Sequence, residues 1–315
     1  MSSASIYRVH TALRRFFSLI CCALLSACAA RTPPSGTAPV PRTGVSRAEC
    51  FPVETLTPEL RAKSEELLLK ALDNEALFTL VGGLKPMSTV GTTMTFSVET
   101  PDASALVERR RMLAAWRCGD AIFADVRVFR AVNEGKRSAS SEVFYRPAMD
   151  AVLQRHAGFF APLGLTPGSH PMEVLTTIEW SERGSRWRGQ GYLYGYPDYA
   201  VDFFVESGEA EARGGAFVPR DPIRIPTFAA GADRSNFVWT VAKNHTDNDA
   251  DRAIRTRAAQ ILAAYTARRD RYIGPGKPGA FALLRDWYCG GTGSCSPVNA
   301  GADAGSKDPA YNSAG

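Results

Sequence analysis

Apolar residues recur at helical spacing in several segments of the chain. Thr57 and Pro58 are typical of a helix start, a capping threonine followed by proline in the first helical position. The apolar stripe behind them consists of Leu60, Leu67, Leu68, Ala71 and Leu72. Similar spacing predicts a helix capped by Asp102, one opening at Pro147, one starting at Pro197, a long one through residues 254–265 and a short one over residues 281–287.

Other segments alternate apolar and polar positions, as strands do. The clearest run is Ile122, Ala124, Val126 and Val128, and Met94, Phe96 and Val98 form a shorter one. Further strands are predicted over residues 224–228 and 236–242. Helices and short strands alternate irregularly, with no internal repeat, which predicts an α+β fold. We expect one globular domain over residues 50–290, followed by a disordered Gly-, Ser- and Ala-rich tail over residues 291–315.

The N-terminal residues have the pattern of an export signal. A short apolar run, residues 16–25, follows Arg8, Arg14 and Arg15, and no acidic residue precedes Cys28. This run is too short for a permanent membrane span and is typical of a cleaved leader. The segment Leu25-Ser26-Ala27-Cys28 at its end resembles the lipobox of bacterial lipoproteins.

That resemblance implies a location rather than an activity. In such lipoproteins residues 1–27 would be removed, and Cys28 would carry the acyl chains that hold the protein in the membrane. Ala29 is not the aspartate that favours inner-membrane retention, so the outer membrane of a bacterial cell envelope is expected. Residues 28–49 are proline-rich and would form a flexible tether. A cut at Ala27 or Ala30 that leaves a soluble protein is the alternative, and Arg14-Arg15 leaves twin-arginine export open.

Charge gives no reason to expect a nucleic-acid partner. The whole chain has a formal net charge of +5, but the predicted leader contains three arginines and no acid. The remaining chain would therefore be close to neutral, which does not predict binding to nucleic acid.

Four cysteines follow the predicted anchor: Cys50, Cys118, Cys289 and Cys295. An even number in an oxidising compartment predicts two disulfides, and four cysteines allow three pairings. The flexible spacer between Cys289 and Cys295 favours a bond between them that closes a small ring. Cys50 and Cys118 would then form the other bond and join the start of the domain to the end of a helix. No Cys-x-x-Cys pair occurs, so the sequence predicts neither a structural zinc site nor any other metal or cofactor.

No common catalytic motif is present. The histidines beyond the leader are His156, His170 and His245, and none has metal-ligand spacing to another. Of these, His170 is the best candidate for a site because it lies in a predicted loop. Asp247, Asp249 and Asp251 have the alternate spacing of a calcium loop, but they precede a helix, and helix capping is the favoured explanation.

The densest chemical feature is a group of eight aromatic residues within residues 180–204. The members that could form a binding face for a sugar or peptide are Trp187, Tyr192, Tyr194 and Tyr196. The three tyrosines would share one face if the segment were a strand, with arginines close by. The alternative is that the row packs beneath the helix starting at Pro197.

These patterns favour a membrane-anchored envelope lipoprotein that binds another envelope component, a protein or a glycan, without catalysis. An envelope hydrolase is the alternative, with an acid–base site assembled from residues distant in sequence, in which His170 or His245 would act with a nearby acid.

Overall fold

The computed structural model describes residues 45–231, 233–290 and 294–295. The α-helices in this part of the chain are α1 (Pro58–Leu72), α2 (Leu77–Leu80), α3 (Ser104–Leu113), α4 (Arg146–Arg155), α5 (Ala157–Phe160), α6 (Pro171–Trp180), α7 (Arg183–Leu193), α8 (Asp198–Ala212), α9 (Asp249–Tyr272) and α10 (Ala280–Cys289). The strands are β1 (Val45–Ser46), β2 (Met87–Ser97), β3 (Ile122–Asn133), β4 (Lys136–Tyr145), β5 (Arg220–Arg224), β6 (Val238–Ala242) and β7 (Ser294–Cys295). The predicted α+β class is therefore confirmed. The predicted leader, Cys28, most of the tether and most of the tail lie outside the described residues.

A three-stranded antiparallel sheet lies between two groups of helices. Its order is β2-β4-β3, so the central strand β4 pairs on both sides. Two-stranded pairs, β1 with β7 and β5 with β6, complete the strand pairing. Successive side chains on a strand point to opposite faces, so each face of the sheet packs against its own set of helices.

The two faces of the sheet bury different residues. Ala124, Val126, Ala139 and Val143 lie in one core cluster with apolar residues of α1, α2, α3, α9 and α10. Phe144 lies in a second cluster with residues of α4, α6, α7 and α8. Arg127 and Glu142 point to this second face and are buried there, although both are charged.

Most predicted helices are confirmed, and side-chain hydrogen bonds to backbone amides explain where α1 and α10 start. The Thr57 hydroxyl accepts a hydrogen bond from the amide of Leu60 at 3.4 Å, which begins α1 as predicted. Helix α10 is capped from elsewhere in the chain, because the carboxylate of Glu65 on α1 accepts hydrogen bonds from the amides of Ala280 and Phe281.

Two expectations about strands need correction. The strand predicted over residues 224–228 is wrong, since β5 ends at Arg224 and pairing stops soon after it. The amide of Ile225 still bonds to Phe237, but Pro226 has no N–H to continue the ladder. Strand β4 was not expected, because the buried polar residues Ser140 and Glu142 interrupt its apolar pattern.

Candidate functional site

The domain cysteines form two disulfide bonds, Cys50–Cys118 and Cys289–Cys295. This confirms the pairing that the spacing favours. Both bonds lie near the start of β3, where Cys118 forms backbone bridges to Cys50 and Ile122. All four cysteines are at most 1% exposed. Lipid attachment at Cys28 stays a prediction, because Cys28 is outside the described residues.

The tyrosines of the aromatic group do not form a strand. Tyr192 lies in the last turn of α7, and Tyr194 follows the helix end. Gly195 then turns the chain with a positive φ of 74°, a conformation that glycine adopts without a steric penalty. The shared face that a strand would give Tyr192, Tyr194 and Tyr196 is therefore not formed.

Tyr192 instead packs against a histidine, whereas Tyr194 and Tyr196 stack on each other. The Tyr192 ring stacks on His156 with centroids 3.8 Å apart. The Tyr194 hydroxyl lies 2.9 Å from the hydroxyl of Thr89, and its ring stacks on Tyr196 at 5.9 Å. Burial raises the pKa of Tyr194 and Tyr196 above the usual range, so both hydroxyls stay protonated.

Tyr194 belongs to a buried ionic cluster that joins the sheet to α6. Nη2 of Arg127 lies 2.9 Å from Oε1 of Glu142 and donates to the Tyr194 hydroxyl at 3.1 Å. Oε2 of Glu179 is 3.9 Å from Nη1 of Arg127. Both Nε and Nη1 of Arg127 are buried without a hydrogen-bond partner. Desolvation raises the pKa of Glu142 and outweighs the opposing attraction of Arg127.

Directly beyond this cluster, Trp180 is exposed at the end of α6. Its residue exposure is 53%, which is unusual for so large an apolar side chain. The guanidinium of Arg137 lies 5.8 Å from the centre of its ring, and Nη1 of Arg130 donates to the carbonyl of Ser181 at 3.1 Å. Val132, opposite Arg137 in the β3–β4 register, is 44% exposed. We call Trp180, Arg130, Arg137 and Val132 the Trp180 surface.

Trp187 lies one helix further along and is partly buried. Its ring meets Phe204 of α8 edge-on, with centroids 5.5 Å apart, and the guanidinium of Arg183 lies 5.7 Å from its ring centre. Phe204 is 38% exposed. Of the residues predicted to bind a partner, Trp187 is thus the one that borders an exposed aromatic side chain.

The predicted best histidine, His170, caps a helix. Its Nδ1 accepts a hydrogen bond from the amide of Met172 at 3.2 Å, which makes it the N-cap of α6. His156 packs against Tyr192, and its Nε2 lies 3.4 Å from a carboxylate oxygen of Asp198. The hydrogen bond from His156 lowers the pKa of Asp198.

His245 is arranged differently, because its acid is fully buried and a tyrosine hydroxyl lies close to the same ring nitrogen. Its Nε2 lies 2.8 Å from Oδ2 of the fully buried Asp251 and 3.3 Å from the Tyr199 hydroxyl. Tyr199 donates to Oδ1 of Asp251 at 2.5 Å. Burial alone would raise the pKa of Asp251, but the hydrogen bonds from Tyr199 and His245 lower it. If Nε2 carries the proton towards Asp251, Nδ1 is left as a base.

Of the three aspartates for which helix capping was the favoured explanation, Asp251 takes part in the cap of α9. The Asn248 side chain accepts from the amide of Asp251 at 3.0 Å, and the Asp251 side chain accepts from the amide of Asn248 at 3.1 Å. This reciprocal pair is a capping box. Asp247 and Asp249 form ion pairs with Arg255 and Arg252.

Two surface cavities lie apart from these groups. One, of about 530 Å³, is an open groove between α1, β2 and α3, and its lining includes Leu67, Met94 and Arg109. The other, of about 350 Å³, lies between α9 and α10 beside Trp287 and Arg268. Neither is lined by Trp180 or His245.

Comparison with family models, with curated proteins and with solved structures finds no match to the chain. Within the part of the chain that the structure describes, no helix combines the length and the apolar character that a membrane crossing needs.

Sequence reasoning missed the buried cluster and gave no special place to Trp180. Arg127 could have been noticed, since it is a charged residue between the apolar residues Val126 and Val128 of β3. Glu142 and Glu179 carried no local signal, because their partners come from other strands and helices.

Proposed function

We propose that the chain is a lipid-anchored protein of a bacterial cell envelope, placed in the outer membrane by the sorting residue Ala29, and that its domain is a non-catalytic binding module. Cys28 would hold the lipid, and the residues before Val45 would tether the domain. The pairing of all four domain cysteines supports export to an oxidising compartment. The near-neutral charge after removal of the leader argues against a nucleic-acid partner.

The exposure of Trp180 carries the binding proposal. An indole that is 53% exposed beside two arginines is costly to leave in water and is typical of a contact surface. The indole can stack on a sugar ring or on apolar side chains, and the arginines can pair with carboxylates. An envelope protein or an anionic glycan therefore fits this surface, which replaces the predicted tyrosine row as the favoured contact.

Intact mass of the protein extracted from membranes tests the anchor. We expect a chain that begins at Cys28, carries acyl groups and contains two disulfides. An unmodified chain that begins after Ala27 or Ala30 would contradict the anchor, without bearing on the Trp180 surface.

A matched pair of variants tests binding. Chemical crosslinking in intact envelopes should join the wild-type protein to its binding partner. Trp180→Ala should abolish these crosslinked products. Phe217→Ala should leave them unchanged, although Phe217 is even more exposed, at 69%. Equal crosslinking by wild type and Trp180→Ala would contradict the proposal, provided that both proteins have the same melting temperature.

An envelope hydrolase is the second candidate, and the His245–Asp251 pair favours it. A histidine oriented by a buried carboxylate is the arrangement of a general base. Activity against envelope substrates that follows a histidine titration and is lost in His245→Gln would support this candidate. Full activity in His245→Gln would exclude His245 as the base.

A further inference from the structure

The four domain cysteines meet in one cluster, although they come from distant parts of the chain. The Sγ atoms of Cys50, Cys289 and Cys295 all lie within 4.8 Å of one another. Cys118 joins them through its bond to Cys50. Each of the four is at most 1% exposed, so the cluster is enclosed by protein.

Backbone contacts position these cysteines in addition to the disulfides. Cys295 is held in the β1–β7 ladder opposite Val45, and Cys50 forms a backbone bridge with Cys118. Cys289 is the last residue of α10. The strand pairing and the helix do not require the sulfur–sulfur bonds, so the thiols of a reduced chain would stay close together.

Three of the four sulfurs lie at a spacing close to that of a tetrahedral metal site, and Cys118, which is bonded to Cys50, would supply the fourth ligand. Zinc binds thiolate sulfur at about 2.3 Å, which separates the sulfurs of a tetrahedron by roughly 3.8 Å. The sulfurs of each disulfide would separate on reduction, whereas the Sγ atom of Cys50 would need to approach those of Cys289 and Cys295 by no more than about 1 Å from the limit of 4.8 Å. Nε of Arg285 donates to the carbonyl of Cys50 at 3.0 Å, which places a cation beside a site of net negative charge.

We propose that the reduced chain binds one thiophilic divalent cation, of which Zn²⁺ is the type, through Cys50, Cys118, Cys289 and Cys295. Two dithiol molecules supply the four electrons and four protons that convert the two disulfides into four thiols, and are themselves oxidised to disulfides. Binding of Zn²⁺ then releases four protons. Two molecules of a small-molecule disulfide can re-oxidise the thiolates: they accept the four electrons, take up four protons and become thiols. This forms the protein disulfides and releases the cation, so the two states exclude each other.

Cobalt absorption tests this site. The full chain, kept in detergent, would carry Cys21→Ser, Cys22→Ser and Cys28→Ser so that only the four domain cysteines remain. After reduction by a dithiol and anaerobic removal of the reductant, Co²⁺ should produce thiolate charge-transfer bands and tetrahedral d–d bands that saturate at one equivalent. Zn²⁺ should displace it, and the oxidised chain should produce no bands.

Single variants identify the ligands. Cys118→Ser and Cys295→Ser should each weaken Co²⁺ binding by at least about tenfold, which is the smallest loss seen when only an outer partner of a metal ligand is removed. His245→Gln is the control and should leave the spectrum unchanged.

The proposal fails if the reduced, folded chain takes up no metal, or if Cys295→Ser binds as well as the parent. If the reduced chain unfolds, reduction is repeated with one equivalent of Zn²⁺ present, and native mass is measured. A folded chain with one zinc supports the site, and an unfolded chain without zinc overturns it. None of these outcomes depends on the lipid anchor or on the Trp180 surface.

Discussion

The two ends of strand β3 differ in how fully the surrounding side chains are tied to the rest of the domain. At the start of β3, two disulfides lie together and Arg285 bonds to the carbonyls of Cys50 and Phe51 and to the carboxylate of Glu54. At the other end, Val132 and Trp180 are 44% and 53% exposed. The first end holds the chain together, whereas the second leaves apolar surface in water.

Loose packing does not explain the exposed end, because a buried ionic cluster lies directly behind it. The carboxylate of Glu179, the residue before Trp180, accepts from the backbone amide of Arg130 at 3.0 Å and lies near Arg127. The residues that present Trp180 are therefore held in place. This end of β3 thus presents an exposed aromatic residue on a rigid surface, which is what a binding site requires.

The largest expected effect comes from the cluster behind the Trp180 surface. Arg127→Met should lower the free energy of unfolding by about 3–5 kcal/mol, because Glu142 would remain buried without its counter-charge. Denaturant titration measures this loss. The double variant Arg127→Met with Glu142→Leu should recover most of the stability. A loss below about 1 kcal/mol in the single variant, typical of exposed pairs, would show that the cluster does not hold this end in place.

Each disulfide at the start of β3 should stabilise the domain by an amount that increases with the length of the loop it closes. Cys50→Ser with Cys118→Ser opens a loop with a sequence separation of 68 residues, which costs about 4 kcal/mol by chain entropy. Cys289→Ser with Cys295→Ser opens one with a separation of 6 residues, at about 2 kcal/mol. Unfolding titrations of the two double variants give the ranking. A larger loss of stability in the Cys289 and Cys295 double variant would contradict the view that these disulfides stabilise the domain by closing loops.

Removal of the exposed indole should hardly affect stability. Trp180→Ala is expected to change the free energy of unfolding by no more than about 0.5 kcal/mol, as is usual for surface substitutions. Trp116→Ala is the matched control, since Trp116 is fully buried and its loss should cost about 3–5 kcal/mol. Calorimetry of both variants compares them. Similar losses would mean that Trp180 serves packing rather than binding.

The smallest effect is a dependence on pH at the cysteine end. Arg285 lowers the pKa of Glu54 from 4.5 to about 2 through its hydrogen bond. The stabilisation from Glu54 is therefore fully present above pH 4.5 and is lost as the pH falls towards 2. The melting temperatures of wild type and Glu54→Gln should differ at neutral pH and converge over this range. An unchanged difference at pH 2 would rule out this ion pair as its source.

Local patterns predicted much of the fold, and long-range contacts account for what they missed. Thr57 and Pro58 predicted the start of α1, because the residues that favour a helix start are adjacent in the sequence. The spacing of Cys289 and Cys295 likewise suggested their bond. Strand β4 was not predicted, because its buried Glu142 is paired with Arg127 on another strand, and no local sequence pattern indicates that partner.

The candidate sites were harder to predict than the fold. The tyrosine row suggested a strand face, but Gly195 ends that segment in a turn. His170 stood out in a predicted loop, yet the histidine that meets a buried acid is His245, whose partner is six residues away and is also a helix cap. The exposure of Trp180 depends on where α6 ends relative to the β3–β4 hairpin, which only the folded chain reveals.

Photo-crosslinking in intact cells tests the central claim most directly. A photoreactive residue would be placed in turn at Val132 and Trp180, and at the control positions Leu163, Phe217 and Phe228, which are also exposed. We predict discrete crosslinked products at positions 132 and 180 and none at the controls. Equal labelling at all five positions, or no product at position 180, would contradict a binding role for this surface.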